Sequence, residues 1–334
     1  MKVAMVTPWA VRCGIYTYSK ALSEALAELG VDVYVVRLPR FGRKVPEILR
    51  QVASSVPDVD VIHVQEEYGL YQGMESAFYG ELKQKKRPIV STLHAVGNWD
   101  QDRIICGASN VVITHNEFCS RRLGHPNVII PHGCTPAEPV AMKEAKESYG
   151  LRPGWPIIGY LGFISSYKNL EVLVEAMTGL PDAGLLVGGG WHVEGAETGY
   201  IQELKRWSLE KLPGRVQWLG YVQDRDLPRA YGSFDVLCYP SRFSTESGAL
   251  LQALSYGKAV ITSSLPPFLE KEKLGALTCF EDVEDLRMKI GMLIGNPELR
   301  AELEEGARRY AESVSWPRVA ELHRSLYEDV VSKL

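Results

Sequence analysis

The sequence predicts an α/β protein built from two doubly wound, Rossmann-like domains. Short β-branched runs alternate with segments of helical periodicity along the whole chain. Runs such as Val59–Val64 are apolar on both faces, as parallel strands covered by helices on each side require. The alternation is interrupted once by a polar stretch and then restarts, and 334 residues suit two domains better than one.

In the first half the expected strands are Val3–Thr7, Asp32–Arg37, Val59–Gln65, Ile89–His94, Val111–Thr114 and Asn127–Pro131. A helix is expected over Tyr16–Leu29, where Ala21, Leu22, Ala25, Leu26 and Leu29 form an apolar stripe. The stretch from Thr135 to Gly154, rich in Pro, Glu and Lys, reads as the linker. Beyond it the expected strands are Pro156–Leu161, Gly184–Val187, Arg215–Leu219, Asp235–Pro240, Lys258–Ser263 and Ala276–Phe280. The tail from Glu281 reads as helical, split at Asn296-Pro297 and at Ser315-Trp316-Pro317, where Ser315 is the expected N-cap. The expected domains are therefore residues 1–145 and 150–315, with a last helix over about 316–334 packing back on the first.

Composition narrows the function. With 46% hydrophobic and 23% charged residues the chain is of soluble, globular type, and a net charge of −4 gives no reason to expect nucleic acid. No run approaches the roughly 18–20 apolar residues needed to span a bilayer, and the first residues read as a strand, not a signal peptide. Six scattered cysteines without a Cys-x-x-Cys pair read as free thiols in a reducing cytoplasm. The basic stretches Arg40–Lys44 and Lys83–Arg87 read as solvated helix faces, with weak peripheral contact to an anionic inner membrane face as the alternative.

Ligands of open α/β sheets bind beyond the carboxyl ends of strands, so residues just after each strand are the candidates. Gly14 follows the first strand, where its backbone can approach a phosphate or sugar. His94 ends the fourth strand and His132 lies near the hinge. In the second half Gly162-Phe163 leads to Lys168, placed to open a helix, where a cation suggests an anionic ligand that offsets the dipole. Gly188-Gly189-Gly190 lacks dinucleotide spacing. The helix expected over about Ser247–Tyr256 carries Ser247 and Gly248 in its first turn, leaving backbone N–H groups for a diphosphate. Gln252, four residues after Gly248, shares that face. Asp58-Val59-Asp60 and Asp224-Arg225-Asp226 read as strand start and helix cap, so no metal is expected.

Taken in order, Gly14, His94, Ile130-Pro131-His132-Gly133, Gly162…Lys168-Asn169, Leu219-Gly220-Tyr221-Val222, Tyr239-Pro240-Ser241, Ala253…Gly257-Lys258-Ala259-Val260 and Ser315-Trp316 resemble the family 4 retaining glycosyltransferases of GT-B fold, over nearly the whole chain. The resemblance implies two Rossmann-like domains facing a central cleft. It implies transfer of a sugar from a UDP- or GDP-sugar such as GDP-mannose to a hydroxyl, with retention of configuration and without metal or other cofactor. By that resemblance His94, Lys168 and Glu246 are catalytic. The nucleotide-sugar donor is held at Gly14, Phe163, Lys168, Tyr221, Val222, Ser247, Gly248, Ala249 and Gln252. The acceptor is a saccharide, a lipid-linked molecule or a small molecule, and the location is cytoplasmic.

The chain departs from the family pattern at three places. Cys13 stands before Gly14 where the family has Gly-Gly, Phe163 stands in place of an arginine, and Gln252 stands at the second of two paired glutamates. The first glutamate falls on Ser244 or, with a shortened loop, on Glu246. Phe163 and Gln252 support an alternative, a non-catalytic nucleotide-sugar-binding or regulatory protein.

Overall fold

The computed structural model describes residues 1–11, 13–39, 42, 45–190 and 198–333. Arg40, Phe41, Arg43 and Lys44, most of the first basic stretch, lie outside the described residues. The chain divides into two compact units, Met1–Gly133 with Val314–Leu334, and Cys134–Ser313.

The first unit runs β1 (Lys2–Thr7), α1 (Gly14–Glu28), β2 (Asp32–Arg37), α2 (Pro46–Ser54), β3 (Val61–Glu66), α3 (Tyr68–Tyr71), α4 (Glu75–Lys83), β4 (Ile89–Leu93), α5 (Trp99–Ala108), β5 (Val111–Thr114), α6 (Glu117–Leu123) and β6 (Val128–Ile129). Its strands form one sheet in the order β2-β1-β3-β4-β5-β6, and every pairing is parallel. All six residues of β3 and all five of β4 are buried, the signature of strands with helices on both faces. One face packs on α2 and α4 through Leu49, Val52, Phe78 and Leu82.

The second unit runs α7 (Met142–Ser148), β7 (Ile157–Leu161), α8 (Leu170–Thr178), β8 (Gly184–Gly188), α9 (Thr198–Lys211), β9 (Val216–Gly220), α10 (Leu227–Ser233), β10 (Val236–Tyr239), α11 (Gly248–Ser255), β11 (Val260–Ser263), α12 (Pro266–Lys273), β12 (Thr278–Phe280), α13 (Val283–Gly295) and α14 (Pro297–Ser313). Its sheet order is β12-β11-β10-β7-β8-β9, again all parallel. The chain leaves β7 in one direction and returns on its other side at β10. The β7/β10 boundary is thus the point where strand order reverses, and ligands of such sheets bind beyond it.

The last helix, α15 (Trp316–Ser332), belongs to the first unit. Trp316, Val319, Ala320, Tyr327 and Val330 pack against Val3, Met5, Tyr18 and Leu22. Each large apolar side chain so buried contributes about 1.5–3 kcal/mol, which ties the distant end of the chain to α1. Ser315 occupies the N-cap position, but its side chain makes no capping hydrogen bond, contrary to expectation. Pro317 in the first turn starts this helix. Asn296 does cap α14, accepting from Leu299 N at 3.1 Å.

The stretch expected to be a linker is different. It contains α7 and opens the second unit, because one basic residue in it is buried. Lys146 Nζ meets Asp235 Oδ2 at 2.6 Å and the Trp155 carbonyl at 2.9 Å. The second basic stretch is also committed locally. Lys85 Nζ donates to the carbonyls of Ser54 and Val56 at 2.9 Å each, and Lys83 to that of Gly107. Arg87 pairs with Asp58 at 2.6 Å, so these cations hold chain turns together.

Gly306, inside α14, lies so close to the chain that a Cβ there would sit 1.8 Å from the Gly275 carbonyl oxygen. Alanine is normally better than glycine in a helix by about 1 kcal/mol. Here the sign should reverse, with Gly306→Ala costing about 1–3 kcal/mol through the forced backbone shift. Urea unfolding measures this, and a stabilised variant contradicts the packing.

Candidate active site

The site in the second unit lies at the carboxyl ends of β7, β8, β9 and β10. Its loops are laced together by backbone hydrogen bonds. Gly162 N donates to the Gly188 carbonyl at 3.0 Å, Gly189 N to that of Gly220 at 2.7 Å, and Ile164 N to that of Gly190 at 3.1 Å. This explains the glycine triplet. A Cβ on Gly189 would fall 1.8 Å from the Gly162 oxygen, so only glycine lets the β7 and β8 loops approach this closely.

Lys168 lies in a short 3-10 turn, Ser166–Lys168, and does not open the following helix. Asn169 comes next with φ 56°, a left-handed conformation that asparagine tolerates, and α8 starts at Leu170. Lys168 is only 9% exposed and makes no ion pair among the described residues. Its Nζ lies 4.6 Å from the centroid of the Tyr167 ring.

The neighbouring loop holds this turn. Arg242 N donates to the Tyr167 carbonyl at 2.8 Å, and its guanidinium reaches the Ser166 carbonyl at 3.5 Å. Tyr239 Oη bridges the carbonyls of Leu161 and Ala249 at 3.2 and 3.0 Å, joining the end of β7 to the first turn of α11. Ser247 caps α11, its Oγ accepting from Leu250 N at 3.3 Å. Gly248 is exposed, and a Cβ there would meet nothing within 4 Å, so there is room for a ligand beside the first turn of α11. Lys168 follows β7, and Ser247, Gly248 and Ala249 follow β10, the two strands between which strand order reverses.

Gln252 lies one turn further along α11, its Oε1 accepting from Tyr231 Oη at 3.3 Å. Tyr231 stacks on Tyr256 at 4.4 Å. Phe163 is half-buried, and its carbonyl accepts from Tyr160 Oη at 2.6 Å. Tyr221 and Val222 follow β9, Tyr221 with 48% of its surface exposed.

Glu246 is engaged at both oxygens. Oε2 accepts from Lys271 Nζ at 2.8 Å and Oε1 from Ser247 N at 2.9 Å, with 7% of the side chain exposed. Burial pulls the Lys271 ammonium down, but the Glu246 carboxylate outweighs it and holds the pKa above its usual value. Glu246 thereby fixes the residue that caps α11. Glu246→Gln keeps one acceptor and loses the charge, and should cost about 1–3 kcal/mol. Thermal unfolding measures the loss, which is expected with or without donor present.

The remaining expected residues are in the first unit. Gly14 is the first residue of α1, following Cys13, whose Sγ accepts from Tyr16 N at 3.3 Å. A Cβ on Gly14 would meet nothing within 4 Å. His94 follows β4, its N donating to the Glu66 carbonyl at 2.9 Å. Its ring meets that of Tyr18 from α1 edge-on, with centroids 4.8 Å apart. Nε2 lies 2.8 Å from Gln65 Oε1 and Nδ1 lies 3.4 Å from His115 Nε2. Burial, followed by repulsion from His115, His132 and His63, pushes the His94 pKa well below the usual imidazole value. Gln65 and His115 were missed in the sequence. His115 directly follows β5, and the strand-end rule that singled out His94 applies to it equally.

The Asp-x-Asp carboxylates serve local structure. Asp58 pairs with Arg87, Asp60 Oδ2 accepts from Lys2 N at 2.7 Å, and Asp226 lies 3.7 Å from Arg229. Among the described residues, no group of three or more His, Cys, Asp or Glu could hold a metal ion, and no helix is long and apolar enough to cross a membrane.

Known proteins share this fold and its second unit. A structure of HepE from Anabaena with UDP and glucose matches with a TM-score of 0.79 at 15% identity, covering 98% of this chain and 99% of that one. Two Rossmann-like units of this topology make the GT-B fold. A sulfoquinovosyl transferase of Arabidopsis thaliana is 30% identical over 173 residues, covering 49% of this chain and 31% of that protein. A phosphatidyl-myo-inositol mannosyltransferase of Mycolicibacterium smegmatis is 24% identical over 387 aligned positions, 99% of this chain and 94% of that protein. Of the first three curated relatives it matches, the chain spans 31%, 51% and 47% of the length. The family described as "Glycosyl transferases group 1" matches residues 141–310, half of the chain and nearly all of the second unit. With half of its length inside that match, the chain belongs to the group 1 glycosyl transferases.

Proposed function

We propose that this protein transfers a sugar from a UDP- or GDP-sugar to a hydroxyl of a saccharide, lipid-linked or small-molecule acceptor, with retention of configuration and without metal. The observation that carries this reading is Lys168, a largely buried side chain with no ion pair among the described residues, on the loop that follows β7 at the point where strand order reverses. The diphosphate occupies that position. The bond from the anomeric carbon to the β-phosphate oxygen breaks, and the negative charge left on that oxygen is stabilised by Lys168 and the amides of Gly248 and Ala249. The acceptor oxygen bonds to the same face of the anomeric carbon, and its proton passes to the departing phosphate.

Tyr221 and Val222 receive the base, and Gln252 bonds the ribose as an uncharged group where the family has a carboxylate. Phe163 removes one cation from the family pattern, and Arg242, anchored to the Ser166 carbonyl, is the replacement in this reading. His94 and Gly14 belong to the acceptor-binding unit and face the transferred sugar. The proposed location is the cytoplasm.

A thermal-shift panel of UDP-, GDP- and ADP-sugars, followed by measurement of released nucleotide with and without acceptor sugars, tests the reading. A shift with one nucleotide class and slow donor hydrolysis are expected. No shift with any of them sinks the proposal. Tight binding without any turnover supports a nucleotide-sugar-binding regulatory protein, the alternative favoured by Phe163 and Gln252.

A further inference from the structure

A line of hydrogen bonds crosses the first unit from α15 to the end of β5. Tyr327 Oη lies 2.6 Å from His63 Nδ1, and His63 Nε2 lies 3.2 Å from one end of the Gln65 carboxamide. The other end lies 2.8 Å from His94 Nε2. His94 Nδ1 lies 3.4 Å from His115 Nε2, and His115 Nδ1 lies 3.1 Å from the Ile130 carbonyl oxygen.

The last link fixes the direction of all the others. A carbonyl oxygen only accepts, so His115 Nδ1 carries a proton and neutral His115 presents a lone pair at Nε2. His94 must then be protonated at Nδ1 to bond it, which leaves a lone pair at His94 Nε2. The amide nitrogen of Gln65 satisfies that lone pair. His63 Nε2–H is then shared between Thr92 Oγ1 at 2.7 Å and the Gln65 oxygen at 3.2 Å, and His63 Nδ1 accepts from the Tyr327 phenol.

The two ends of a carboxamide have the same shape, so the hydrogen bonds decide their order. With the oxygen toward His94, His94 Nε2 would carry the proton. Two lone pairs would then face each other across 3.4 Å, and only an added proton could join them. The region disfavours that charge. Among the described residues, Tyr18 of α1, His63 and Thr92 on the strands, His132 after β6, and Trp316, His323 and Tyr327 of α15 lie along the line. Glu66, the carboxyl group at the end of β3, is itself pushed well up by burial and supplies little counter-charge. Turning the nitrogen toward His94 gives up only a weak contact of 3.2 Å to Met5 Sδ.

We propose that Gln65 and His115 are positioning residues for His94, joined to it in a one-directional chain of neutral hydrogen bonds that holds its imidazole as the Nδ1–H tautomer with both ring nitrogens engaged. His94 therefore meets the sugar as a fixed, uncharged group and takes no proton from the acceptor. The position of His94 beside a sugar rests on the proposed function. The chain itself does not, and its test needs no donor.

Histidine 15N spectra of the whole protein, between about pH 5.5 and 8 where free imidazoles titrate, decide it. His94 and His115 should both appear as neutral Nδ1–H tautomers, His63 as Nε2–H, and none of the three should titrate. An Nε2–H tautomer or an imidazolium at His94 at neutral pH overturns the proposal. Gln65→Glu places an acceptor-only group at His94 Nε2, and should add a one-proton titration at the His94–His115 pair. In sugar transfer, kcat/KM of this variant should gain a pH dependence over that range that the parent lacks. A variant spectrum with the parent's tautomers and no titration also overturns the proposal. If the variant fails to fold, the parent spectra alone decide.

Discussion

Lys168→Ala should lower sugar transfer about 10²–10³-fold, the effect of removing one group that stabilises charge developing in the transition state. Its thermal stability should stay unchanged or rise. A structural lysine would behave in the opposite way, because removing it would strand a partner carboxylate. Lys168 is 9% exposed, has no ion pair among the described residues, and has its Nζ 4.6 Å from the centroid of the Tyr167 ring. Nucleotide should stabilise the parent more than the variant in a thermal-shift titration. Lys168→Arg is not a neutral control, since a planar guanidinium does not occupy the place of a compact ammonium. Equal transfer by parent and Lys168→Ala, with the true donor, would falsify the assignment of the site.

The largest stability effect is expected at Lys146 and Asp235. Their side chains are 2% and 9% exposed and meet at 2.6 Å. Asp235 Oδ2 also accepts from Ile157 N at 2.8 Å, and Lys146 Nζ donates to the carbonyls of Trp155 and Pro153. The pair therefore sets where the chain enters β7, the strand at which sheet order reverses. Asp235→Ala leaves a buried ammonium without its counter-charge and should cost about 3–5 kcal/mol. The double variant Lys146→Met/Asp235→Leu should lose much less than the sum of the single changes, because it removes both charges together. Urea unfolding of the four proteins measures this. A single change costing under about 1 kcal/mol, the range of an exposed pair, would mean that the pair is solvated.

Most strands were legible because they are short runs buried on both faces, and such burial demands apolar residues whatever the neighbours are; the edge strands β2, β6 and β9 are only partly buried. Every expected strand appears, with ends shifted by a few residues: Val59–Gln65 was expected where β3 spans Val61–Glu66, and Asn127–Pro131 where β6 spans Val128–Ile129. The split of the helical tail was legible from Asn296-Pro297 and Ser315-Trp316-Pro317, since proline interrupts the helix wherever it falls. The linker reading failed at Lys146. A lysine among glutamates reads as solvated, and only its pairing with Asp235, far along the chain, buries it.

The same distinction runs through the site. The position of Lys168 and the first turn of α11 after their strands follows from local order and needs no partner to be seen. Glu246 is different, because its chemistry depends on Lys271, 25 positions away. His94 depends on Gln65 and His115, which reach it only when β3, β4 and β5 lie side by side. By itself the sequence determined the two alternating β/α halves and the strand ends at which a ligand can bind, since propensity and burial act over a few residues. The tertiary structure alone decided which charged and polar groups are paired. Hydrogen bonds and ion pairs act over about 3 Å in space and leave no trace of their partners in sequence order.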